Sequence, residues 1–153
     1  MPSETSRNAE SFEAREARFR VQFPNASARD ILVVPLDETA ARLVGEVSRQ
    51  PWRHASFVPF SASGEAWRTE LEQRSFDLVV VVGQAGENLG QVASIGEICI
   101  DRKIKTSGVL LRIADASPTH MAASLRSMRP WTRTLTVITE ADDIPGLLHA
   151  LGA

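Results

Sequence analysis

The chain has 153 residues, enough for one domain, and its 43% hydrophobic and 24% charged residues are typical of a globular protein. A formal net charge of −2 gives no general attraction to nucleic acid, and no apolar run approaches the ~18 residues that a membrane helix needs. The N-terminus also lacks the apolar core of a signal peptide. The sequence therefore predicts a cytoplasmic protein without nucleic-acid or membrane partners.

Residues 1–28 differ in character from the rest, and we expect a separate N-terminal arm ahead of one domain over residues 29–153. Residues 11–22 are predicted to form a charged helix. Four residues in and just after this helix follow helical spacing and make a narrow apolar stripe: Phe12, Glu16, Phe19 and Phe23. The stripe leaves two interpretations open, a solvated helix laid over the domain or an arm that docks on a partner subunit.

Five short apolar runs follow, each with a helix-like segment after it. They span residues 31–36, 55–60, 77–83, 106–112 and 134–139. The third run, Leu78 to Val82, shows no alternation of apolar and polar residues, so both faces of that strand must be covered. The sequence thus predicts a single three-layer α/β/α sandwich with a five-stranded parallel sheet, flavodoxin-like or Rossmann-like. The strand order 2-1-3-4-5 is favoured over 3-2-1-4-5.

Polar residues after each run predict where the five helices begin. The predicted cap residues, in chain order, are Asp37 or Glu38, Ser63, Asn88, Ser117 before Pro118, and Thr139 with Asp142.

The loop after the third strand is the best candidate for a site, because ligands of open parallel sheets bind outside the carboxyl ends of the strands. Gly83 leaves the strand, Gly86 can take positive φ, and Asn88 can start a helix whose dipole favours an anion. We therefore expect a small anionic or nucleotide-like ligand of unknown identity at this edge. The predicted contacts are Gly83, Gln84, Ala85, Gly86, Glu87 and Asn88, with Arg112 and Ser117 as neighbours. The alternative is that these glycines only make a tight strand-to-helix turn.

The loops at this predicted edge are strongly acidic, and Arg112 is the one strand-end cation near them. The acidic residues are Asp37, Glu38, Glu65, Glu87, Asp115, Glu140, Asp142 and Asp143. Several of these charges simply suit a helix N-terminus. An acidic rim disfavours a polyphosphate unless Mg²⁺ mediates its binding.

Residues 77–111 carry one faint family resemblance. With Gly83, Gly86 and Gly90 between two apolar runs, the segment resembles the glycine-loop region of the tubulin and FtsZ GTPases, which also runs strand, loop, helix and strand. The dense glycine loop of that family is replaced by residues 86–90, so the resemblance implies a similar local architecture and no GTPase. Response-regulator receivers are disfavoured because Gly83 and Gln84 stand where the phosphoacceptor Asp would be.

No enzyme motif emerges. Three His and one Cys are scattered without metal-site spacing, and neither a nucleophile–base pair nor a cofactor motif is recognisable. Cys99 is expected to be a small buried hydrophobe, and His120 to be an exposed or capping residue.

The alternative to ligand binding is a non-catalytic, homo-oligomeric scaffold or regulatory protein. Trp52, Trp131 and the Phe12/Phe19 arm would then supply the contact surface, because aromatic residues are favoured as interface anchors. In either case we expect a homodimer, with the arm or the Trp131 region contributing to its interface.

Overall fold

The computed structural model describes residues 29–112 and 116–153. The predicted N-terminal arm and Asp115 lie outside the described residues. The described chain forms one five-stranded parallel sheet in the order β2-β1-β3-β4-β5, so the favoured flavodoxin-like order is confirmed. The strands are β1 (Ile31–Pro35), β2 (Ala55–Phe57), β3 (Leu78–Gln84), β4 (Lys105–Leu111) and β5 (Thr134–Ile138).

Helices cover both faces of the sheet and complete the predicted three layers. They are α1 (Glu38–Val47), α2 (Glu65–Gln73), α3 (Gln91–Arg102), α4 (Pro118–Met128) and α5 (Asp143–Ala150). Helices α1 and α5 pack on one face of the sheet, and α2, α3 and α4 pack on the other. A 3-10 turn, Arg129–Trp131, links α4 to β5.

Strand β3 lies at the centre of the sheet and is buried throughout. Its side chains alternate between the two cores. Val79 and Val81 pack beneath α2, α3 and α4, while Val80 and Val82 pack beneath α1 and α5. This arrangement explains the unbroken apolar run, because each face of the strand meets its own layer of helices.

Two predicted helix starts are confirmed. Asp37 accepts a hydrogen bond from the N–H of Ala40 at 2.8 Å and caps α1. Ser117 accepts from the N–H of His120 at 3.1 Å and caps α4, with Pro118 in the first turn.

The other three starts were wrong. Helix α3 begins at Gln91, because the side chain of Asn88 accepts from the N–H of Gly90 at 2.9 Å and holds a separate turn before the helix. The residue before α2 is Gly64 in a left-handed conformation, so Ser63 lies one position too early, although its hydroxyl accepts from the N–H of Glu65 at 3.3 Å. Asp142 precedes α5 but makes no side-chain cap bond, so the capping box does not form.

None of the helices in the described ranges has the length and apolar character that crossing a bilayer requires.

Candidate functional site

A cleft lies at the carboxyl edge of the sheet where the strand order reverses. The chain leaves β1 toward β2 and then returns across β1 to β3, so the loops that follow these strands part and leave a concave space. The cleft has a volume of about 460 Å³. Its lining comes from all three loops: Leu36, Asp37, Glu38 and Thr39 after β1, Phe60 and Ala62 after β2, and Glu87, Asn88, Gly90 and Gln91 after β3.

Asp37 holds the floor of this cleft together. Its carboxylate is buried, and each oxygen accepts a backbone N–H at 2.8 Å, one from Ala40 in α1 and one from Gln84 at the end of β3. This side chain therefore ties the β1 loop to β3 and is itself fully engaged. Its role in the cleft is structural.

Gln91 fixes the opposite wall. Its side-chain N–H groups donate to the carbonyls of Ser61 at 2.8 Å and Ala62 at 3.0 Å, and its oxygen accepts from the indole N–H of Trp67 at 3.0 Å. One amide thus joins α3 to the β2 loop and to α2. The wall is preorganised, because every bond of this amide is made within the protein.

The charged groups that line the cleft are carboxylates, which accept hydrogen bonds. The carboxylates of Glu38 and Glu87 are exposed, and no Lys or Arg stands among the residues that line the cleft. Thr39 and Asn88 add short polar side chains. The cleft is consequently electronegative and suits a ligand that donates hydrogen bonds.

Gly83, Gln84 and Ala85, all predicted as ligand contacts, are buried. A Cβ at Gly83 would lie 2.6 Å from a methyl group of Leu89, so Leu89 would have to shift to admit a side chain here. The N–H of Gln84 donates to Asp37, and the N–H of Ala85 donates to the carbonyl of Leu111 at 2.9 Å. The backbone donors of this stretch are used within the fold.

Gly86 has the positive φ that the sequence predicts, at +91°. Its N–H donates to the hydroxyl of Ser124 in α4 at 3.0 Å, and the N–H of Glu87 donates to the carbonyl of Gln84 at 3.1 Å. Gly86 also faces the ring of His120, which would lie 3.5 Å from an added Cβ. The loop therefore turns toward α4 at Gly86 and toward the cleft at Glu87.

The predicted contacts divide between two places. Glu87 and Asn88 line the switch-point cleft. Ser117 is engaged as the cap of α4, on the β4 side of the loop. Arg112 is exposed just beyond β4, and its backbone N–H donates to the carbonyl of Ile138. Ligand contact by these residues stays a prediction.

The predicted ligand contacts left out the β1 and β2 loops and the start of α3, which add Thr39, Phe60 and Gln91 to the cleft. A signal for them was available. Once the order 2-1-3-4-5 is favoured, the switch point lies between β1 and β3, so the loops on both sides of it become candidates.

Two buried polar atoms near this edge lack hydrogen-bond partners. The side-chain oxygens of Gln84, at the end of β3, and of Ser61, in the β2 loop, are shielded from solvent and accept no bond. A buried acceptor without a donor costs about 1–3 kcal/mol relative to a satisfied one. This edge of the sheet therefore contains two unsatisfied buried oxygens.

Cys99 is buried against β4, as the sequence predicts. Burial raises the pKa of its thiol, and the hydrogen bond with Thr106 and the nearby charge of Arg102 oppose that rise without cancelling it. The thiol therefore stays protonated and weakly nucleophilic at neutral pH. Within the described ranges, no three His, Cys, Asp or Glu side chains are grouped so as to hold a metal ion.

The sequence matches no protein-family model, and no curated protein sequence matches it at a significant level.

Proposed function

We propose that this protein binds a small, hydrogen-bond-donating ligand of the nucleoside or polyol type in the switch-point cleft. The observation that carries the proposal is the lining itself, which presents the free carboxylates of Glu38 and Glu87 and no cation. The hydroxyl groups of a sugar can donate hydrogen bonds to such carboxylates. In dinucleotide-binding folds, an acidic residue accepts a hydrogen bond from the ribose in this way.

The dimensions and walls of the cleft support a ligand of this size. Its volume of about 460 Å³ falls within the ~300–1,000 Å³ of small-molecule sites. Phe60 adds an aromatic surface to the lining, which suits a flat ring such as a nucleobase. The wall that Gln91 fixes lowers the entropy lost on binding.

The charge of the cleft determines how a nucleotide would sit. A phosphate group placed against Glu38 and Glu87 would be repelled, because neither carboxylate is neutralised by a neighbouring cation in the lining. A nucleotide therefore enters with its sugar and base inside and its phosphate toward solvent, or it brings Mg²⁺. The small anionic ligand that the sequence predicts would bind in the second of these ways, together with Mg²⁺.

A thermal-shift titration with adenosine, AMP and AMP plus Mg²⁺ tests the proposal. We expect adenosine to raise the melting temperature by several degrees, since ligand at a hundred times its Kd stabilises the native state by about 2.7 kcal/mol. Glu87→Gln removes one acceptor charge and should abolish most of the shift. Glu97→Gln, at an exposed position of α3 outside the cleft, is the matched control.

Three outcomes contradict the proposal: no shift with any of the three probes, a shift that Glu87→Gln leaves intact, and a shift that both variants lose equally. AMP that binds more tightly than adenosine without Mg²⁺ would contradict the placement of phosphate toward solvent.

A second candidate function, a homo-oligomeric scaffold, is favoured by the free edge of the sheet. Strand β5 has no neighbour beyond it among the described residues, and residues 134–138 carry no charge. Val137 is 42% exposed on this strand. An uncharged, β-branched edge of this kind is a template for pairing with a second copy.

A further inference from the structure

A second cleft lies at the opposite, amino edge of the sheet. It has a volume of about 410 Å³ and is bounded by the end of α3, the starts of β4 and β5, and the 3-10 turn. Unlike the switch-point cleft it is basic. Lys103, Lys105 and Arg133 line it, and no carboxylate does.

These three cations are not neutralised by their described neighbours. The ion pairs between described residues join His54 to Asp30 and Arg74 to Glu70, both remote from this cleft. Lys103 also adopts a left-handed conformation with φ +60°, which costs a non-glycine residue about 1–2 kcal/mol. The strain at Lys103 belongs to the turn that ends α3, and the positive charge of the cleft has no described counter-charge.

An apolar surface accompanies the charge. Ile100 is 63% exposed, and Trp131 lies beside it across Gly96 of α3, where an added Cβ would meet the indole at 2.7 Å. The cleft therefore combines an exposed aliphatic side chain and an indole with three cations, and its apolar part suits the apolar face of an amphipathic segment.

We propose that the N-terminal segment of the same chain docks in this amino-edge cleft through its Phe12–Phe19 stripe. The segment needs apolar cover because an isolated helix of this length is marginal in water. Glu16 and Arg15 flank the two Phe on the same helical face, so the docking rests on apolar contact of the Phe side chains with Ile100 and Trp131.

The point of attachment makes this docking possible within one chain. Arg29 follows the segment directly and lies two residues before the start of β1. Its N–H donates to the carbonyl of Gly152. All strands of a parallel sheet start at the same edge, so this junction and the basic cleft share the amino edge. Three strand spacings of about 4.8 Å separate β1 from β5, or about 14 Å in all. About five extended residues cross that distance, and residues 24–28 can supply them.

Hydrogen exchange on the full chain, read by mass spectrometry, tests the docking. We expect the amides of residues 12–22 to exchange roughly tenfold or more slowly than in an unstructured chain. Ile100→Glu places a charge in the apolar part of the cleft and should abolish that protection. Val137→Glu, the same change at the other exposed apolar residue and outside the cleft, should leave it intact.

The remaining outcomes decide between occupants. Protection that does not change on dilution supports docking within one chain. Protection that is lost on dilution would assign the cleft to the segment of a second copy and overturn the proposal. Free exchange of residues 12–22 in the unchanged protein, or equal loss of protection in both variants, would also overturn it. A melting temperature raised by inorganic phosphate, with residues 12–22 unprotected, would assign the cleft to a small anion.

Discussion

Both oxygens of the Asp37 carboxylate are committed to backbone N–H groups, one in α1 and one at the end of β3. Asp37→Asn keeps only one acceptor oxygen, and it turns the other position into a donor that faces an N–H. We expect a loss of about 1–3 kcal/mol in the free energy of unfolding, measured by urea denaturation. Glu38→Gln, at the next and exposed position, should change it by less than about 0.5 kcal/mol. Equal effects of the two changes would contradict the structural role of Asp37.

Gly86 is the loop position where backbone conformation demands glycine. Its φ of +91° strains any other residue, although the space beside His120 would accept a methyl group. Gly86→Ala should therefore destabilise the protein by about 1–2 kcal/mol. Gly45→Ala in α1 is the matched control. Nothing lies within 4 Å of its added Cβ, and it should stabilise by about 0.5–1 kcal/mol through helix propensity. Destabilisation by both changes would indicate that φ is not the cause.

Cys99 gives the fold a pH dependence in the alkaline range. Its pKa is raised in the folded state, so unfolded chains lose the thiol proton at a lower pH than folded chains do. The stability that the protonated thiol contributes is complete below the ordinary thiol pKa and is lost as pH rises through the raised one. As pH rises from the ordinary thiol pKa to the raised one, the melting temperature should fall less steeply in Cys99→Ala than in the unchanged protein. Parallel curves would contradict the shift.

At the scale of elements, the two edges of the sheet differ in how they are protected. Strand β2 is short, with three residues, whereas β5 has five and is largely exposed. Helix α5 spans only eight residues and covers Ile138 but leaves Thr134 and Thr136 exposed. Free backbone groups and uncharged side chains thus coincide on β5, where natural proteins commonly place a charge.

Thr136→Lys is the element-scale prediction that follows. If copies of the chain pair through β5, two lysines would face each other across the two-fold axis, and the dimer should dissociate. Light scattering should report a dimer for the unchanged protein and a monomer for this variant. Thr69→Lys, on the exposed face of α2, is the control and should remain dimeric. A monomeric unchanged protein would exclude the dimer, and a dimeric Thr136→Lys would move its interface away from β5.

At the scale of the whole molecule, the three layers could be predicted because they depend on patterns local to each element, whereas the strand order was favoured as one of two common doubly wound orders. The apolar run of β3, for example, requires helices on both faces whatever the rest of the chain does. The start of α3 could not be predicted, because the side-chain oxygen of Asn88 can accept either from a helix N–H or from the N–H of Gly90. It accepts from Gly90.

The candidate site was only partly predictable for a different reason. Glu87 and Asn88 lie in a glycine-marked loop and were identified from it. Phe60, in the loop after β2, and Gln91, at the start of α3, reach the cleft because β2 and β3 both lie beside β1, a placement that depends on the strand order. The use of the loop N–H groups by Asp37 and Ser124 is likewise a tertiary property. The glycine pattern of this loop is typical of an anion-binding loop, but these N–H groups donate within the protein and not to an anion.

The central claim, a ligand site at the β1/β3 switch point, is tested most directly by two-dimensional amide NMR of the full chain titrated with adenosine. We predict saturable shifts at residues 37–39, 60–62 and 87–91, the three loops that line the cleft. The amides around Lys103 and Arg133 at the opposite edge should stay unchanged. Shifts confined to that basic edge, or no shift anywhere up to the solubility of adenosine, would contradict the account.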